Sequence, residues 1–282
     1  MDHIDPALES LRAQIREQSV TDPHIAAKIA AQAILEKIFA VLNDGKGVHA
    51  ESTLASLGSL AGQACLQEAF AHLTTEAGRD VVGAIMTVAD TEGRTYYYGD
   101  PINRPLLEDR YSVWSLLAGT LQAYGAKLPD IQDIITHVTA SIGKPAFGIP
   151  RLPANRQIRF QPGECLQLWQ PLKTEIIDIL PVPANDWHLA YALAIQNLIE
   201  QAKGTLPPAE AGIIVMECAI PMSKISERKE DRMFELIIMT EEMKKKLDPD
   251  VYSAYSCVID KSANVIIWQG YVHWTERDGI LL

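Results

Sequence analysis

The segment from Glu51 to Leu73 constrains the chain more than any other. Leu54, Leu57, Leu60 and Leu66 recur at helical spacing, and Ala55, Gly58, Gly62 and Cys65 form a face of small residues among them. The period predicts a helix, and the small face lets another backbone approach closely. Because the flanking leucines also need a core, the expected neighbour is part of the same chain, with a homodimer contact as the alternative. Before it, Thr21-Asp22-Pro23 reads as a helix start. The helix it opens, ending near Leu42, is apolar nearly all round and is expected to be buried.

The remaining pattern predicts a mainly α, multi-helix globular body over residues 1–225, with a small antiparallel β element. A short polar helix is expected at 6–19, and others at 106–125, 130–142, 164–180, 185–203 and 207–220. The last contains Gly212 to Ile220, a run that periodicity alone does not distinguish from a buried strand; Pro207, Pro208 and Glu210 favour helix, and Pro221 should end it. Val81–Asp90 and Thr95–Tyr98 are rich in β-branched and aromatic residues and predict a hairpin turning at Asp90-Thr91-Glu92-Gly93. Residues 143–163 carry four prolines and three arginines without periodicity, a connection long enough to be of functional interest. Charge density rises after residue 225. Residues 226–282 are expected to form a small α+β appendage, with packing as part of a single domain as the alternative. It comprises a helix over 228–247 and two strands, Val251–Asp260 and Asn264–Trp274, with a sheet shared with 81–98 as one arrangement.

The chain has a formal net charge of −11, which works against a phosphate backbone as partner. Its densest basic run, Lys244-Lys245-Lys246, reads as a helix C-terminal turn. The four cysteines are far apart in sequence and form no CxxC, so free thiols in a reducing cytoplasm are expected. The first residues lack the basic and apolar regions of a signal peptide. No stretch is long and apolar enough to span a membrane. The expectations are accordingly a cytoplasmic protein, no nucleic acid, no membrane, no cofactor and no metal.

Motifs for catalysis are few. His49-Ala50-Glu51 matches the H-x-E of zinc deaminases, but the P-C-x-x-C that completes their site is missing. No two histidines lie at i, i+3 or i+4, and no glycine-rich phosphate loop or nucleophile elbow occurs. The most site-like segment is Tyr96 to Arg104, read as a strand followed by an irregular loop. From it come Tyr98, Asp100, Asn103 and Arg104 as candidate binding residues, joined by Arg151 and Arg156 of the long connection. The primary expectation is a non-enzymatic binding or scaffolding protein that self-associates as a homo-oligomer, with a protein partner possible through the aromatic residues of 252–274. The alternative is an enzyme, hydrolytic in the first instance, with a site dispersed across loops 99–104 and 143–163.

Overall fold

The computed structural model describes residues 6–45, 47–73, 85–90 and 94–226, together with the backbone of four strands between 234 and 275. The helical body follows the order α1 (Pro6–Gln18), α2 (Ile25–Leu42), α3 (Ala50–Leu73), β1 (Met86–Ala89), β2 (Thr95–Tyr98), α4 (Asp100–Asn103), α5 (Val113–Ala123), α6 (Ile131–Ser141), α7 (Trp169–Leu172), α8 (Trp187–Ala202) and α9 (Pro208–Met222). The fold is mainly α, with a two-stranded antiparallel hairpin, β1–β2, in register Met86 with Tyr98 through Ala89 with Thr95.

Helix α3 is the axis. It packs on α8, α9, α2 and α4 and on the turn Pro162–Leu168, and its residues from Ser52 to Leu66 are all buried. The small-residue face explains how one helix is enclosed on so many sides. A β-carbon placed on Gly58 would lie 2.7 Å from the Val215 carbonyl oxygen, and one on Gly62 would overlap the Ala219 carbonyl oxygen. The backbones of α3 and α9 are therefore in direct contact, the intramolecular use of this face that the leucines pointed to. Helix α2 differs from its expectation of full burial. Lys28, Gln32 and Glu36 form an exposed stripe, while Ala27, Ala30, Ile34 and Ile38 face the core.

Other boundaries depart from the sequence pattern for local reasons. Helix α2 begins at Ile25, and Asp22 spends its carboxylate on the His24 amide and Lys28. Helix α5 starts at Val113, where the Ser112 hydroxyl accepts from the Ser115 amide, so Leu107 belongs to the preceding turn. The helix expected over 164–180 is a 3₁₀ turn (Pro162–Leu168), α7, and a π turn (Lys173–Ile177). Pro171 inside it lacks the amide that a continuous α-helix needs. Residues 207–220 are helical, and α9 runs one residue beyond Pro221.

The segment after 225 needs one correction. Where the sequence predicts a helix over 228–247, the structure has a strand, β3 (Phe234–Ile238); Phe-Glu-Leu-Ile-Ile is a short apolar run that suits either state, and pairing decides it. With β4 (Ser256–Asp260), β5 (Val265–Trp268) and β6 (Tyr271–Thr275) it makes an antiparallel sheet in sequential order, separate from β1–β2. The predicted strand 264–274 is thus represented by two paired strands, β5 and β6. The turn at 91–93, the basic run 244–246 and the aromatic side chains of 252–274 lie outside the described residues.

A buried polar pair ties α8 to the axis, and a second, partly exposed pair ties its start to the start of α2. His188 and Glu68 are both nearly fully buried. His188 Nδ1 lies 2.8 Å from Glu68 Oε1, its amide donates to the same oxygen, and Nε2 faces the Tyr111 carbonyl at 3.2 Å. Burial alone would lower the imidazole pKa; the Glu68 carboxylate overrides it, and His188 sits above its ordinary value. Beside it His24 Nδ1 meets the buried Asp186 carboxylate at 2.9 Å.

Three outcomes follow from this packing. Gly62→Ala should destabilise the protein by about 3 kcal/mol or more in chemical denaturation, because backbone must separate to admit the methyl. Gly119→Ala, on α5 with nothing within 4 Å of the new atom, should be neutral or stabilising by up to about 1 kcal/mol. Glu68→Gln should cost on the order of 3 kcal/mol below pH 6, where the buried pair is fully formed. A raised folded pKa means that this contribution disappears as pH rises through it, so the cost should shrink above neutrality.

Candidate active site around Lys224

The chain leaves β2 through Gly99, at φ 141°, a conformation that glycine adopts without strain. Asp100-Pro101 then opens a helical turn, α4, and Arg104–Glu108 continues it as a π turn. The irregular loop expected at 99–104 is thus helical: Pro at the first helical position has its φ preset and no amide to satisfy. This turn is brought against the end of α9. The Lys224 carbonyl accepts from the Tyr97 amide at 2.8 Å, and Tyr96 bridges to Ile225, so residues 224–225 line the free edge of β2.

That pairing fixes the Lys224 side chain in the interior. Lys224 is 7% exposed. Its ammonium donates to Asn103 Oδ1 at 3.0 Å and lies 5.5 Å from the centre of the Tyr98 ring. No carboxylate pairs with it among the described residues. Two buried acids of the neighbouring helices are engaged elsewhere, Glu68 of α3 with His188 and Glu217 of α9 with Arg151. Burial depresses the amine from its ordinary 10.5 to about 8, with a smaller opposing effect from Cys65. Tyr98 completes the cluster. Its hydroxyl is buried without a hydrogen-bond partner among the described residues, and burial pushes its pKa to about 12, so it remains a proton donor. Chemically the cluster offers an amine that changes charge near neutral pH, an amide oxygen that orients it, and an unspent phenol.

Three of the candidates read from the sequence thus fall at or beside one place: Tyr98 and Asn103 touch Lys224, and Asp100 is exposed at the start of the same turn. Arg104 points to solvent and pairs loosely with Asp109 at 3.5 Å. Arg151 and Arg156 belong to a different system. Residues 143–161 run as a strap over α3 and α9, held by Arg151 on Glu217 (2.7 Å) and Asp133 (2.9 Å), Arg156 on Glu51 (2.9 Å) and on Glu210, and Arg159 on Asp44 (2.7 Å). Beside Arg151 an open cavity of about 460 Å³ lies between α6 and α9, with Lys127, Asp133 and Glu217 as polar lining and Leu128, Ile134 and Ile213 as apolar wall. Asp100, Asn103 and Arg104 are not among its lining residues.

His49 and Glu51 sit 3.3 Å apart, but Glu51 is held by Arg156 and His49 by Ser52. Among the described residues no group of three or more His, Cys, Asp or Glu could hold a metal ion. No described helix is long and apolar enough to cross a membrane. Lys224 was not visible as a site residue in the sequence. The signal was there only as a lone lysine closing an apolar helix behind Pro221, which has the same look as a solvated helix end.

The energetic sign of Lys224 is testable. Below pH 8 the amine is charged in both folded and unfolded chains, and the fold bears the full desolvation cost, on the order of 3 kcal/mol. Between pH 8 and 10.5 the folded state releases its proton first, so stability rises with pH. Lys224→Met should therefore be more stable than the parent at pH 7 by about 1–3 kcal/mol, with the gap closing toward pH 10 in urea titrations. A gap that does not change with pH would assign the effect to packing instead.

Comparison of the chain with protein-family models, with curated proteins and with solved structures gives no match.

Proposed function

We propose that this chain is a binding protein for a small carboxylate-bearing molecule, held at Lys224. The observation that carries the reading is an ammonium 7% exposed with one acceptor, Asn103, beside a buried Tyr98 hydroxyl with none among the described residues. Unsatisfied buried polar groups cost folding free energy, and an anion with two acceptor oxygens would satisfy both donors at once. It would also raise the amine pKa again, so that binding and protonation reinforce each other. Tyr98 and Asn103 are half-buried and Asp100 is exposed, which sets the cluster close to solvent.

This narrows the binding function expected from the sequence to a small-molecule ligand. Self-association keeps less support than before, because the small-residue face of α3 is filled by α9. The 460 Å³ cavity at Arg151 is of metabolite size, but its arginine is already neutralised by Glu217 and Asp133, which makes it the weaker site.

Acetate serves as the probe. At pH 7 it should raise the thermal midpoint of the wild-type chain, a hundredfold excess over its dissociation constant being worth about 2.7 kcal/mol. The shift should be lost at pH 9.5 and in Lys224→Met. The proposal fails if acetate and pyruvate leave the wild-type midpoint unchanged, or shift the Lys224→Met protein equally.

A further inference from the structure

We infer that the Lys224 amine condenses with a small aldehyde or 2-oxo acid to form an imine. This rests on the assignment of Lys224 as the ligand anchor and names the chemistry of the ligand that it holds. The argument begins with what is missing around Nζ. A lysine meant only to neutralise charge would face a carboxylate, yet Glu68 and Glu217 serve His188 and Arg151, and none of the described acids reaches Nζ. What does reach it suits a nucleophile. Asn103 Oδ1 takes one N–H at 3.0 Å and so aims the rest of the amine. The face of Tyr98, 5.5 Å away, stabilises the positive charge of a protonated imine. The Tyr98 hydroxyl is buried without a partner among the described residues, and it is a donor for the oxygen that must depart. Lysine amines desolvated in this way are the ones that attack carbonyl carbon at neutral pH.

The step balances without a further reactant. The lone pair of the neutral amine attacks the carbonyl carbon, the C–N bond forms, and the carbonyl π electrons pass to oxygen. One amine proton moves to that oxygen, giving a carbinolamine. The C–O bond then breaks with help from the Tyr98 hydroxyl. The second amine proton leaves with the oxygen as water, and the nitrogen lone pair closes the C=N bond. Nothing is oxidised or reduced.

Burial supports the inference kinetically. Before a carboxylate is bound, the amine is depressed to about 8, and its neutral fraction at pH 7 exceeds that of an ordinary surface lysine by roughly 100-fold or more.

The test treats the full chain with pyruvate and sodium cyanoborohydride, which traps an imine as a stable secondary amine, and maps the adduct by peptide mass. At pH 7 Lys224 should carry at least about tenfold more adduct than exposed Lys28, Lys144 and Lys203. The rate at Lys224 should level off above pH 8, while labelling of the surface lysines continues to climb. Tyr98→Phe should slow trapping at Lys224 and weaken the pyruvate-induced thermal shift, and Lys224→Met should abolish both. Adduct spread over surface lysines with Lys224 no higher overturns the inference. If acetate and pyruvate still stabilise the wild-type chain in that case, the binding reading survives alone; if they do not, both are overturned.

Discussion

The contact between the backbones of α3 and α9 is the constraint on which the rest of the structure depends. Gly58 and Gly62 leave no room for a β-carbon against Val215 and Ala219. Two helices this close bury each other's polar backbone and leave little space for side chains between them. Larger residues are therefore displaced to the remaining sides of α3, where Leu54, Leu57, Leu60 and Leu66 find α2, α4, α8 and the 162–168 turn. The cost is a buried stripe of hydroxyls and an amide, Ser52, Ser56, Ser59 and Gln63. The strap meets part of that need: the Ser52 hydroxyl accepts from the Arg159 amide, and Cys165 lies 3.6 Å from Ser56.

The same contact decides where α9 ends and so where Lys224 lies. With Gly62 against Ala219 and the Ser223 amide, the last turn of α9 cannot slide outward. The residue after it is handed directly to the edge of β2. Lys224 is buried because its backbone is needed as a strand partner, and its side chain then has only the Tyr98–Asn103 turn to face. The arginines of the strap show the contrasting solution. Each is matched to one or two carboxylates on the helices beneath, an arrangement that fastens a long connection and leaves no charge unspent. A chain that pairs the arginines of its strap this fully, yet leaves one more deeply buried amine with a single amide acceptor, tolerates a local destabilisation of the kind that marks functional positions.

Much of the scaffold was legible in the sequence. Helical spacing located α3 and α8, the Pro207-Pro208 start and Glu210 favoured helix for α9, and the small-residue face of α3 announced a close neighbour, because these signals are local. Tyr98 and Asn103 were named from the sequence as residues of a strand-to-loop segment, and the structure places both against Lys224. What failed to show were features set by pairing across the chain. Phe234–Ile238 pairs with Ser256–Asp260, and no local period records a partner on a separate strand further along the chain. The turn after Gly99 looked irregular because Asp-Pro signals a turn and a helix start equally well.

By itself, the sequence determined a mainly α body built around one small-faced helix, since helix period and residue volume are properties of neighbours along the chain. Tertiary structure alone decided which charges were to be neutralised and which left unpaired. Arg151, Arg156 and Lys224 are alike in sequence, each a lone cation near proline. They part company in space, where two find carboxylates and the third finds an amide and an aromatic face. Desolvation and Coulomb interaction depend on distances through space, and those distances were fixed only when α3 and α9 closed on each other.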